Sequence, residues 1–192
     1  EAAADLKTLL HAHLAELARS SGETIHLTVL DGAEVVYLDK IDSALPVAAY
    51  SRVGGRASAY CVASGKALLA AAGHDAAALQ ARLGRLVAHT PHTITDVETL
   101  RAELERTRAR GWAENREEWR LGVCGLGAPV FDARGEAVAA VGISVPSMRF
   151  ARAQARTLAA AVQACARDSS LALGWRSEPA PLPLPVQNRR RG

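Results

Sequence analysis

Aromatic residues are scarce in this chain. Trp, Tyr and Phe make up 4% of the 192 residues, while apolar types reach 49%. Any core must therefore be built mainly from Ala, Leu and Val, and that much apolar content suffices for an autonomous globular domain. Cysteine is scarce too. Cys61, Cys124 and Cys165 stand far apart with no C-x-x-C, which argues against a disulfide framework or a zinc site and fits a reducing compartment. No apolar run reaches the length of a membrane span, and no signal-peptide pattern opens the chain. Excess charge is slight. The formal net charge is +3, and Arg189, Arg190 and Arg191 supply three positives at the extreme C-terminus. The remainder is near neutral and makes no compositional case for nucleic-acid binding. The chain opens on Glu1 rather than Met, as a fragment or a processed product would.

The strongest pattern lies between Gly111 and Arg149. Two charge-free apolar runs, Val123–Phe131 and Ala137–Val145, flank Asp132-Ala133-Arg134-Gly135. Asp and Gly between β-branched runs predict a hairpin. Glycine weakens a strand, so Gly125, Gly127 and Gly142 mark places where a backbone or a ligand comes close. The competing reading is an edge-packed hairpin with no ligand. Polar Glu114–Glu118 precedes the hairpin and is expected at the mouth of whatever the glycines leave open.

Leu6, Leu9, Leu10, His13, Leu14 and Leu17 recur at helical spacing and predict an apolar stripe on a helix over 5–19, stopped at Gly22. Ile25, Leu27 and Val29 alternate with polar residues, which predicts a half-buried strand. Asp31-Gly32 turns the chain into a second strand, Glu34–Ile41. A third short strand is expected at Pro46–Tyr50, and 51–58 reads as a loop. A small-residue helix follows over 62–72. Asp75 is placed to cap a further helix to about Leu83. Residues 84–94 read as a connection. Thr95-Asp96-Val97-Glu98 matches a capping box for a helix ending at Gly111. A long alanine-rich helix is expected from about Phe150 to Leu173. The Pro-rich and triple-Arg segment 176–192 is expected to be a disordered tail, with too little apolar surface to offset its ordering entropy. One domain, 1–175, then remains. Helices grouped between hairpin-linked strands predict an α+β fold with an antiparallel sheet.

Several motifs fall short of the chemistry they suggest. Ser64-Gly65-Lys66 lacks the earlier glycine and the following Ser or Thr of a phosphate-binding loop. It still looks like a helix start with bare N–H groups, either an anion site or an ordinary helix N-terminus. Gly142-Ile143-Ser144-Val145-Pro146 lacks the second glycine and the following helix of a nucleophile elbow. Cys124 sits beside two glycines, and a thiol enzyme would need a His close to it in space; a buried Cys is usually an inert small hydrophobe, and Cys124 reads as one. His11 and His13 are two apart on a helix and face different ways, so they are poor metal ligands. Glu117 and Glu118 read as a pair flanking a turn in solvent. No catalytic residue, metal site or cofactor is expected.

Taken together, four segments resemble the effector-binding domain of IclR-type transcriptional regulators. They are Gly22–Leu27 with Asp31–Lys40, then Gly55-Arg56 through Ser64–Ala70. Next are Arg110-Gly111-Trp112 with Glu117-Glu118 and Gly122-Val123. The last is Ala128–Asp132 with Val141–Pro146 and Arg149. The resemblance implies a GAF-like antiparallel sheet flanked by helices on both faces, with a cavity for a small molecule. It implies an effector site at Ala63, Ser64 and Gly65, at Asn115 and Glu117, and at Val123, Gly125, Gly142 and Ser144. Asn115 stands where Asp is frequent in the family, Gly125 where Cys is, and Gly142 where a second Ser is. These departures bear on which effector is taken, not on the fold.

The resemblance also implies a homodimer or tetramer in the cytoplasm, with no membrane partner. Operator DNA would be bound only through a winged helix–turn–helix that this chain lacks, with ligand control exerted through the oligomer state. The expected effector is a small organic acid, larger than a two- or three-carbon one because the two glycines widen the cavity. Enzymatic activity is not expected. The alternative is a stand-alone GAF-like binding module in another signalling context.

Overall fold

A computed structural model describes residues 2–46 and 51–176. Helix α1 spans Ala2–Ser21, followed by strands β1 (Thr24–Asp31), β2 (Glu34–Ile41) and β3 (Arg56–Ser58). Helices α2 (Ala63–Ala72), α3 (Ala76–Leu83) and α4 (Val97–Arg110) come next. Strands β4 (Ala113–Arg116), β5 (Val123–Phe131) and β6 (Ala137–Pro146) precede α5 (Arg152–Ala172). The strands form one six-stranded sheet in the order β3-β2-β1-β6-β5-β4, and every pairing is antiparallel. The fold is α+β with helices on both faces, as the sequence predicts.

Two cores explain the layering. On one face, α1 and α5 bury Leu10, Leu14, Leu158 and Val162 against Ile25, Leu27, Leu126, Val141 and Ile143. On the other, α2 lies on the sheet with α3 and α4 outside it, burying Leu68, Leu69, Leu79, Leu100 and Leu104. Because β1 sits inside the sheet, its residues from Thr24 to Thr28 are all buried. The half-exposed strand expected there is thus corrected: its polar side faces α2, not water.

The hairpin β5–β6 turns at Asp132–Gly135. Asp132 N–H donates to Glu136 O and Gly135 N–H to Asp132 O, each at 2.9 Å. Gly135 takes φ 79°, which a side chain would disfavour.

Five local expectations are corrected. Leu9 is 57% exposed; the buried stripe is Leu6, Leu10, Leu14 and Leu17, from which Leu9 is rotated by about one residue step. Helix α4 is capped by Asp96, whose carboxylate accepts from Thr99 N–H at 2.8 Å, so Thr95 is not its N-cap. The long helix starts later than Phe150, because Ser147–Arg149 make a 3₁₀ turn that drops Phe150 into the core. The segment read as a loop ends in strand β3, where Ala57 pairs with Val35 and is buried. The polar stretch at 114–116 belongs to strand β4, whose inward residues are Ala113 and Asn115. The strand expected at Pro46–Tyr50, apart from Pro46, and the tail expected at 176–192, apart from Arg176, lie outside the described residues.

Candidate functional site

The register of the sheet assembles a small-residue floor. Thr24, Ser144, Gly125 and Asn115 form one row across β1, β6, β5 and β4. His26, Gly142, Gly127 and Ala113 form the next row. Residues two apart on a strand share a face, so both rows face α2.

Helix α2 starts directly on this floor. A Cβ added at Gly127 would fall 2.6 Å from Ser64 N and 2.7 Å from Ala63 C. The glycine therefore permits contact between strand backbone and helix start. Gly65 plays the same part on the other side, where a Cβ would fall 2.2 Å from Ala59 O. The N-cap residue, Val62, is extended, and no side chain caps the helix. Its first N–H groups and partial positive charge are thus presented at the floor.

Beside that helix start lies a cavity of about 220 Å³. Ala63, Ser64, Asn115, Val123, Gly125, Gly142 and Ser144 all line it. Gly142 leaves usable space, since a Cβ there would meet Ser64 Cβ at 3.5 Å, an ordinary contact. At Gly125 a Cβ would already press on Ile143 O at 2.8 Å. Gly65 and Glu117 do not line the cavity. Gly65 serves the helix packing described above. Glu117 has φ 57°, a left-handed backbone uncommon outside glycine, and its carboxylate accepts from Gly122 N–H at 2.6 Å. It shapes the bend between β4 and β5.

That bend sends Glu118 inward, contrary to the solvent-exposed pair expected from sequence. Lys66 Nζ donates to both Glu118 carboxylate oxygens at 2.8 Å. Burial pushes the Glu118 carboxyl above its ordinary range, although Lys66 opposes the shift. Thr90 and Thr93 hydroxyls hold the bend through the carbonyls of Glu117 and Glu118 at 2.7 and 2.6 Å. Glu118 N–H donates to Asn115 Oδ1 at 2.8 Å, which leaves the Asn115 amide nitrogen as a donor for the cavity.

Sequence reasoning missed the far wall. His26, Tyr37, Ser51, Arg52, Arg56, Trp119 and Arg120 also line the cavity. His26 is 3% exposed, its Nε2 lies 2.6 Å from Ser51 Oγ, and its ring centroid is 4.8 Å from that of Tyr37. Burial first, and the Lys40 charge second, push its pKa down to about 3, so the imidazole is neutral. Lys40 Nζ donates to Ser51 O at 2.8 Å, and Gly54 N–H to Tyr37 O at 2.8 Å. These bonds strap the 51–55 loop to β2. The sequence signals were His26, a polar residue on the inward side of an interior strand, and Arg56 in the Gly55-Arg56 segment of the resemblance; nothing marked Arg52 or Arg120.

Among the described residues, no Asp or Glu lines the cavity. The walls offer donors instead: helix N–H groups, the Ser64 and Ser144 hydroxyls, the Asn115 amide and guanidinium groups. A larger groove of about 650 Å³, bounded by Ala67, Phe131, Ala160 and Trp175 among others, contains none of the expected effector-site residues. The three thiols are buried and burial pushes all of them up, Cys61 to about 12 and Cys165 to about 11. None is poised as a thiolate nucleophile. Among the described residues, no group of three or more His, Cys, Asp or Glu side chains could hold a metal ion, and no helix is long and apolar enough to cross a membrane.

Comparison with known proteins gives this geometry a family. The model for the bacterial transcriptional regulator IclR C-terminal region matches residues 2–171. The HTH-type transcriptional regulator KdgR of Escherichia coli is 35% identical over 175 residues, covering 91% of this chain and 66% of KdgR. The chain thus spans just under two thirds of that relative's length. Among solved structures, Thermotoga maritima IclR superposes with a TM-score of 0.82 at 34% identity, covering 88% of this chain and 69% of that one. The C-terminal domain of E. coli KdgR superposes with a TM-score of 0.78 at 34% identity, over 89% of this chain and 99% of that domain. Those relatives are regulators rather than enzymes, and the chain belongs to their family: it is an effector-binding C-terminal domain of the IclR type.

Proposed function

We propose that the 220 Å³ cavity takes a small organic acid. The acid's carboxylate sits at the start of α2, against the Ala63 and Ser64 N–H groups, the Ser144 hydroxyl and the Asn115 amide. Occupancy controls operator binding in a longer, cytoplasmic protein that carries a winged helix–turn–helix, through its dimer or tetramer state. The observation that carries this reading is the lining, which has an uncapped helix N-terminus and, among the described residues, no acidic side chain. Such a wall attracts anions and repels cations. Asn115 adds a donor without adding a negative charge. The volume is about seven times the ~30 Å³ share of one water, which suits an acid of more than three carbons.

The test is a thermal-shift panel of aliphatic and aromatic acids, with amides and amines as controls. An acid at a hundred times its Kd adds about 2.7 kcal/mol, a rise of several degrees for a domain of this size, on the order of 2–4 °C per kcal/mol. The rise shrinks in Ser144→Ala. Stabilisation by amines or neutral amides alone overturns the carboxylate assignment.

A further inference from the structure

The cavity has a second cationic pole, at the end away from α2. Arg52, Arg56 and Arg120 all line it, but they are not equivalent. Arg56 Nη2 lies 2.6 Å from Asp31 Oδ2 and its Nε 2.7 Å from Glu34 Oε2, so two carboxylates already neutralise it. Arg52 and Arg120 have no carboxylate partner among the described residues. The neighbouring stretch Val47–Tyr50 brings no acidic residue by sequence. Two arginines without a carboxylate partner thus line a cavity in which, among the described residues, there is no acidic side chain.

Arg52 is tied to β2 by the turn that follows it: Gly55 N–H donates to Arg52 O at 3.0 Å, Gly54 N–H to Tyr37 O at 2.8 Å, and Tyr37 N–H to Gly55 O at 3.1 Å. Arg52 thus lies at the β2 end of the floor, and Arg120 lines the same cavity as Arg52 and Tyr37. Ser64 and the α2 start lie over Gly142, on β6. From β2 across β1 to β6 is two strand spacings, roughly 10 Å. Neutral His26 lies between the poles, on β1.

We propose that the effector is a dianionic acid, with one carboxylate at the α2 N-terminus and a second anionic group held by Arg52 and Arg120. This rests on the acid reading above and narrows it. Guanidinium groups pair bidentately with carboxylate and phosphate alike, so the shared requirement is a second anion. An apolar tail in its place would leave two cations unpaired at the mouth.

Isothermal titration of the 192-residue chain with matched pairs, butyrate against succinate and hexanoate against adipate, tests this, with 3-phosphoglycerate as the phosphate arm. In at least one pair the diacid binds about tenfold or more tighter. Arg52→Gln and Arg120→Gln abolish that advantage, bringing the ratio of monoacid to diacid Kd to about one. Ser144→Ala weakens both members of a pair by the same factor. Both arginines are exposed, so the variants keep the melting temperature of the unliganded chain. A preference for 3-phosphoglycerate over both diacids, lost in the arginine variants, assigns the second group as phosphate and supports the proposal. Monoacids binding as tightly as diacids, or arginine variants that weaken both equally, overturn the second pole while leaving the acid reading intact. Binding by none of these acids defeats both.

Discussion

Lys66 Nζ lies 2.8 Å from each carboxylate oxygen of Glu118, and the two side chains are 1% and 11% exposed. This ion pair joins the first turn of α2 to the segment just after β4. Glu118 N–H also holds Asn115 Oδ1 on β4, and α2 carries Ser64, so the pair fixes two walls of the cavity against each other. Removing one partner leaves the other buried and uncompensated, at a cost of about 3–5 kcal/mol. Glu118→Ala is therefore expected to lower the urea midpoint strongly. The double variant Lys66→Met, Glu118→Leu recovers most of that loss, because well-packed apolar replacements of a buried pair are often neutral. A double variant as unstable as the single one would show that the site needs charge rather than filling.

Asp39 ties α1 to β2. Its buried carboxylate lies 2.6 Å from His11 Nδ1 and 3.3 Å from Lys7 Nζ, and accepts from Lys40 N–H at 3.0 Å. Burial pushes the carboxyl up, but the bonds from His11, Lys40 and Lys7 outweigh it and hold the pKa below the ordinary 3.8. A carboxyl depressed in the folded state adds stability above the unfolded value and loses it as pH falls through the folded one. Lys7 and His11 are about half exposed, so solvent screening trims the gain to about 1–2 kcal/mol. Asp39→Asn should cost that much at pH 7. The gap to the parent, measured by denaturation at stepped pH, should narrow as pH falls below the ordinary 3.8 and close once Asp39 itself is neutral in the folded chain.

What the sequence reveals of this fold follows the range of the forces involved. The β5–β6 hairpin and β2 are legible because charge-free or β-branched runs are bounded by Asp and Gly turns. Helix α4 stops at Gly111, which takes φ 80°, as its sequence predicts. Strand β4 is hidden because its inward residues are Ala113 and Asn115, not large apolar side chains. Strand β3 is three residues long, too short for a period of two to register. Glu118 reads as solvent-exposed because its partner lies 52 residues away. The Glu23–Arg149 pair, at 2.8 Å, closes a separation of 126 residues and is equally invisible in either local segment. Within the site, the glycines carried a real but mixed signal. Gly65 and Gly127 admit backbone against backbone, whereas Gly142 leaves room beside Ser64. The arginine pole needs the 51–55 loop folded over Tyr37, which no local pattern encodes.

His26 should make the domain acid-sensitive. Its pKa falls from 6.5 in the open chain to about 3 when buried beside Ser51. Between those values the unfolded chain takes up a proton that the folded chain refuses, so stability falls as pH falls. The limiting slope is about 1.4 kcal/mol per pH unit. Stability profiles from pH 7 to 4 should show His26→Gln flatter than the parent by up to that slope. Parallel profiles would mean that the folded site accepts the proton after all.

The two glycines beneath α2 should respond in opposite ways to the same added methyl. At Gly127 the new Cβ would fall 2.6 Å from Ser64 N and 2.8 Å from Ala63 O. These are backbone atoms of a helix start and cannot rotate aside. Gly127→Ala must lift α2 off β5, and overpacking of this kind costs about 1–3 kcal/mol. At Gly142 the nearest atom is Ser64 Cβ at 3.5 Å, so Gly142→Ala fits without displacement and relieves the entropic penalty of a strand glycine. Its stability should stay within about 1 kcal/mol of the parent. Its methyl, however, occupies cavity space beside Ser64. Acid binding should weaken in a variant that is as stable as the parent, while Gly127→Ala loses stability first. Denaturation midpoints and ligand titrations on the two variants separate these effects. Unchanged acid affinity in Gly142→Ala would place the ligand away from the floor between Ser64 and β6.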